Sequence, residues 1–181
     1  MAVKESSARR YAEAVFELAL ESDAFGQWSD DLATLATLVS DGEVAAVLVS
    51  GRIPREEKRR LLEAALSGQA APQALNLALL LLDRGKITLA PVIARIFGEM
   101  VDAHRGVAHA VVTTAVPLTD DERRAVEERL SSMTGKQVEV TPLVDESIIG
   151  GVIARIGDQL IDGSTRTRLL ALKRTLEGVA R

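Results

Sequence analysis

The sequence predicts an α+β fold: an N-terminal six-helix bundle followed by a small C-terminal α/β domain ordered strand, helix, three strands, helix. Three observations carry this reading. Up to about residue 105, apolar residues recur at helical spacing in short stretches parted by Gly or Pro. From Gly106 onward the chain turns β-branched and partly alternating. Near the end, Gly157-Asp158 sits between two short apolar runs, as in a tight hairpin.

In order, Ser6 or Ser7 can cap a first helix running to about Glu21. A second follows Gly26, with Trp28, Leu32, Leu35 and Val39 on one face. A short third covers about Glu43 to Val49. Pro54 suits the first turn of a fourth, which Gly68 can end. Pro72 opens a fifth that closes near Asp83, before Gly85. The sixth carries Ile93, Ile96, Phe97, Met100 and Val101 as a stripe and stops before Gly106. Val107 to Val116 reads as a strand. Thr119 to Glu122 is a capping box opening a helix to about Ser132, ended by Gly135. Val138 to Val144, Val152 to Ile156 and Gln159 to Asp162 are strands, and Ser164 caps a last helix through Leu176. These elements divide into domains of residues 1–105 and 106–181.

Composition narrows the function. The 181 residues are 47% hydrophobic but only 3% aromatic, so the core is built of Ala, Leu, Val and Ile. A net charge of −4 argues against a general nucleic-acid binder. With no cysteine there is no disulfide or thiolate metal site. The start, MAVKESSARR, lacks an apolar signal core. The apolar run Leu77 to Leu82 is far shorter than the roughly 20 residues that cross a bilayer. A soluble protein is expected, reaching membranes only through partners.

No residue pattern supports covalent chemistry. His104 and His109 flank Gly106 without further metal ligands, so surface or packing roles are expected and no metal. Gly150-Gly151 begins a strand rather than a phosphate loop, so a bulge or close backbone approach is the simpler reading. Asp30-Asp31 and Asp120-Asp121 fall in first helical turns, where acids complement the helix dipole. Arg55 to Arg60 reads as a solvated helix face. The basic last helix, with Arg166, Arg168, Lys173 and Arg174, also reads as solvated or as touching an acidic partner. Catalysis and cofactors are not expected.

The first helix has more apolar surface than one interface needs. Its apolar residues sweep roughly 240°, against a little over 100° for an ordinary bundle helix. Phe16, Ala12, Ala19 and Leu20 form one face, and Tyr11, Ala14, Val15 and Leu18 another. Either the helix is enclosed by its own bundle, or the second face waits for a partner. The fifth helix repeats the excess, with leucines pointing in every direction and Asn76 and Asp83 interrupting them. Two such helices side by side would form a groove for a foreign amphipathic helix.

The pattern D-x-x-I-x-G-G-V-x-x-R-x-G-D-x-x-I-D-G-S-x-R-x-R-L, from Asp145 to Leu169, resembles the C-terminal signature of one family. That family is the delta subunit of the rotary ATP synthase, called the oligomycin-sensitivity-conferring protein in mitochondria. ARRYAEAVFELA, from Ala8, and NLALLLLDRGKI, from Asn76, are similar to two further stretches of it, in the same order. The resemblance implies a non-catalytic stator subunit. Its helical domain would hold the N-terminal amphipathic helix of an alpha subunit between helices 1 and 5. Tyr11, Ala14, Val15 and Leu18 would line one wall, and Asn76, Leu79 and Leu80 the other. The second domain would engage peripheral b-type stalk subunits. Asp145, Gly150, Gly151, Arg155, Asp162, Gly163, Ser164, Arg166 and Arg168 match its signature, mainly as fold-specifying residues. Ala154 departs from a position where the family favours a larger branched aliphatic. The implied location is peripheral, on the cytoplasmic face of a bacterial plasma membrane. The alternative is an RNA-binding or ribosome-assembly factor using the C-terminal domain, which the acidic charge and missing strand aromatics disfavour.

Overall fold

The structure is a computed structural model and describes residues 2–148, 150–167 and 169. It is α+β, largely helical with one four-stranded mixed sheet. Two compact units divide the chain, Met1–Val101 and Asp102–Arg181.

The first unit begins with α1 (Ala2–Ser22), rich in the strong helix formers Ala, Glu, Leu and Arg. Ser6 and Ser7 therefore lie inside α1 rather than capping it. Its end is a left-handed Asp23 at φ 48°, after which the Ala24 amide returns to the Ala19 carbonyl at 3.0 Å. Then come α2 (Phe25–Ser40), α3 (Gly42–Val49), α4 (Arg55–Leu66) and α5 (Pro72–Asp83). Asp41 caps α3, its carboxylate accepting the amides of Glu43 and Val44. A 3-10 turn, Ile87–Leu89, leads into α6 (Ala90–Arg105). Gly85, left-handed at φ 63°, closes α5 by the same five-residue return, Lys86 to Leu81, at 2.7 Å.

The core of this unit gathers Ala8, Ala12, Val15 and Ala19 of α1 against α2, α5 and α6. That stripe corrects the two-face division of helix 1. Val15 belongs to the core, while Leu20 is exposed. The alanines let neighbouring helices approach closely, and Phe16 fills the gap with rings 5.4 Å from Phe25 and 6.4 Å from Phe97. The Arg55 to Arg60 segment is not wholly solvated either. Lys58 is buried and donates its ammonium to the Ser50 carbonyl at 2.6 Å, satisfying the C-terminus of α3.

The second unit holds β1 (Val107–Thr114), α7 (Asp120–Thr134), β2 (Gln137–Val144), β3 (Val152–Ile156) and β4 (Gln159–Asp162). The sheet order is β2-β1-β3-β4, parallel between β1 and β2 and antiparallel elsewhere. Thr119 and Glu122 form the capping box of α7, and Gly135 ends it in a left-handed turn. Ala110, Val112, Val138, Val140 and Ala154 cluster with Leu130 of α7 into a second core. Ala154 pairs with Val112 and Ile161, and its small size is absorbed inside that core. Of the last helix expected through Leu176 only the start is described, helical over residues 165–167 behind Ser164, and Arg168, Lys173 and Arg174 lie outside the described residues.

Candidate functional site

Helices α1, α2 and α5 enclose a cleft of about 320 Å³. It is lined by Tyr11, Ala14, Val15, Leu18, Trp28, Gln73, Asn76, Leu77 and Leu80. Six of the seven residues expected in a helix groove meet here: Tyr11, Ala14, Val15, Leu18, Asn76 and Leu80. Leu79 does not line it; it packs half-buried against the core, one helical position round from the cleft. Leu77 stands there instead. The floor residue Trp28 comes from α2, whose own periodicity marks it only as core. Helix 1 is not enclosed: Ala14 is exposed and Leu18 keeps 50% of its surface accessible, as Leu80 keeps 44% across the cleft.

A second cleft of about 500 Å³ shares Leu18, Trp28 and Gln73 with the first and continues past Glu21, Ser22, Gln27, Asp31 and Ala71. Asp31 overturns the helix-dipole reading given to it from sequence. It is only 2% exposed. Its carboxylate accepts the Ala71 amide at 3.2 and 3.3 Å and the Gln27 side-chain amide at 3.0 Å.

The C-terminal signature residues meet at one junction. The Thr165 amide and hydroxyl both donate to the Gly150 carbonyl at 3.0 Å, and the Gly163 amide donates to Val152 at 2.9 Å. Gly151 is left-handed at φ 85°, and a Cβ there would lie 2.6 Å from the Gly163 oxygen and 2.9 Å from the Ser164 Cα. Asp162 accepts from the Ser164 amide at 2.9 Å and the Thr167 hydroxyl at 2.8 Å. Buried Ser164 accepts the Thr167 amide at 3.2 Å, an N-cap bond. Asp145 accepts the Ser147 amide at 2.9 Å, with the Arg166 charge near enough to act on it. Arg155 stands apart from this junction, exposed on β3 opposite Val111. Arg168 lies outside the described residues.

These bonds set the titration. The Ser164 amide, then the Thr167 and Ser164 hydroxyls, hold the Asp162 carboxyl below its usual range. The Ser147 hydroxyl and amide, with Arg166, do the same for Asp145. A carboxyl depressed in the folded state adds stability above its unfolded pKa, and loses it as pH falls through the folded one. The sheet is therefore expected to lose protection below about pH 4. Asp162→Asn should flatten that acid limb in amide exchange measured from pH 7 to 3. An unchanged limb would remove Asp162 from the junction's titration.

Among the described residues no three of His, Asp and Glu are arranged to hold a metal ion. His109 sits exposed between Asp102, 2.9 Å away, and Glu139, 3.6 Å away. No single helix among those described is long and apolar enough to cross a membrane. The geometry leaves an apolar trough in one unit and a tightly hydrogen-bonded turn cluster in the other.

The family model described as "ATP synthase delta (OSCP) subunit" matches residues 8–176. A protein of Thioalkalivibrio sulfidiphilus named ATP synthase subunit delta is 38% identical over 162 residues, covering 90% of this chain and 91% of that one. Another of that name, from Desulfotalea psychrophila, is 34% identical over 173 residues, covering 94% and 96%. Among solved structures, a chain of the Toxoplasma gondii mitochondrial ATP synthase hexamer superposes with TM-score 0.64 at 22% identity, a likeness of fold over 93% of this chain and 96% of that one.

Proposed function

Because the chain belongs to the ATP synthase delta (OSCP) subunit family, a stator component of the rotary enzyme, we propose that it ties the catalytic head to the peripheral stalk without catalysing anything itself. The RNA-binding alternative falls with that membership, since the match includes the C-terminal unit on which it relied. A stator must hold the head still while the rotor turns inside it. That task requires binding at two ends and no chemistry.

In this reading, residues 1–105 form a six-helix bundle. Its groove takes the amphipathic N-terminal helix of an alpha subunit. Residues 106–181 form the small α/β domain, completed by a last helix, and engage b-type stalk subunits. The protein then sits at the cytoplasmic face of a bacterial plasma membrane, held there by its partners. The single observation that carries the groove is the cleft between α1 and α5, with Leu18 and Leu80 half-open to solvent on its two rims. Exposed apolar side chains facing each other across a trough are what an amphipathic helix buries.

The test is direct. Residues 1–105 alone are expected to melt cooperatively as a wholly helical fragment and to bind a synthetic alpha N-terminal peptide as tightly as the full chain does. Strand signal in its far-ultraviolet spectrum, or peptide affinity that requires residues beyond 105, would reject this division of labour.

A further inference from the structure

We propose that Asp31 is the positioning residue that sets the width of the helix groove, an inference that rests on the groove reading above. Asp31 belongs to neither wall. It lies on α2, one turn beyond the floor residue Trp28 and on the same helix face. From there it reaches the start of α5, forty residues away in sequence.

The end it reaches needs an acceptor. Ala71 is the N-cap of α5, and its methyl side chain cannot satisfy any amide there. Pro72, next in line, has no amide hydrogen. The Asp31 carboxylate supplies from outside what the local sequence lacks: it takes the Ala71 N–H on both oxygens. It also places negative charge at the positive end of the α5 dipole. Asp31 itself is only 2% exposed and the bond is partly buried, which strengthens it relative to one at the open surface. Gln27, one turn back, donates to the same carboxylate and fixes its rotamer.

The consequence falls on the groove. Gln73, Asn76, Leu77 and Leu80 of the far wall follow Ala71 on the same helix. A shift of the Ala71 amide swings that wall relative to α1. Asp31 thus fixes the spacing into which the partner helix fits, from beneath the trough.

Two conservative variants separate geometry from charge. Asp31→Asn keeps an oxygen at the same reach and drops the charge. Asp31→Glu keeps the charge and lengthens the reach by one methylene. The assay uses the full chain, titrated with a synthetic alpha N-terminal peptide. The fluorescence of Trp28, the single tryptophan, is the signal, read at a temperature inside each variant's native baseline. Asp31→Asn is expected to bind within about threefold of the unaltered protein, and Asp31→Glu about tenfold more weakly. The reverse order would mean that the partner reads the charge, and would overturn the proposal. So would native affinity in both variants. Exchange of the Ala71 amide, measured without peptide, keeps the two readings apart. Strong protection in the unaltered chain and Asp31→Asn, lost in Asp31→Glu, supports the clasp even if no peptide binds, which would count against the groove alone. An unprotected Ala71 in the unaltered chain sinks the clasp.

Discussion

Gly151→Asp is expected to unfold the C-terminal unit while the N-terminal helices keep their melt. Two costs add. At φ 85° any L side chain is strained. The added Cβ also has no room, lying 2.6 Å from the Gly163 oxygen and 2.9 Å from the Ser164 Cα, both backbone atoms that cannot rotate away. Strain and overpacking together cost about 2–5 kcal/mol before the carboxylate is counted. A unit of this size has little more than that to lose. Gly157 is the matched control: it is left-handed at φ 56°, but a Cβ there meets nothing within 4 Å. Gly157→Ala should therefore cost about 1 kcal/mol, the strain alone. Amide exchange in β1 and β3 measures both. Equal losses at the two glycines would show that conformation, and not the close approach to residues 163–165, decides the effect. Stalk attachment should fail with Gly151→Asp, and peptide binding in the groove should survive.

Ala14→Asp should abolish groove binding and leave the fold standing. Ala14 is exposed on α1 and faces the cleft between Tyr11 and Leu18. In the free protein the new carboxylate is solvated, and the cost is about 0.5 kcal/mol of helix propensity. In the complex it is pressed against apolar side chains without a donor, at a cost of about 3 kcal/mol or more, so affinity should fall about a hundredfold or further. A thermal melt beside a peptide titration checks this. A collapsed melt would mean that helix 1 is enclosed in solution, and a normal melt with normal binding would remove Ala14 from the interface.

What the sequence disclosed was local. Gly85 and Gly135 punctuate helix ends because only glycine takes the left-handed turn there cheaply. The capping box at Thr119 and the hairpin at Gly157 are likewise written within a few residues of where they act. The excess apolar surface on helices 1 and 5 was legible in their spacing, while the wall residues on helix 5 followed only from the family resemblance. What escaped was long-range. Asp31 looks like any acid in a first helical turn until α5 is placed beside it. Lys58 sits in a charged run, yet its stem is buried, because Ser50 offers a carbonyl that no periodicity reveals. Leu79 and Leu77 are both leucines on an over-apolar helix, and only the packing of α5 decides which faces the trough. The start of α1 was misplaced because a serine in a strong helix-forming run is tolerated inside as readily as at the cap.

The place of β1 in the sheet matters for a protein that holds against torque. The chain passes from α6 through Gly106 straight into β1, which is paired with β2 from Val107 to Thr114 and with β3 from Ala110 to Thr114. A pull applied along the axis of β1 meets ladder bonds that cross it, perpendicular toward β3 and slanted toward β2. Under such a pull the strand is loaded in shear, with bonds on both sides resisting together from Ala110 to Thr114. Had the entry strand been an outer one pulled sideways, it would unzip one bond at a time. The order β2-β1-β3-β4 puts the covalent tether on an interior strand, where rupture must be concerted.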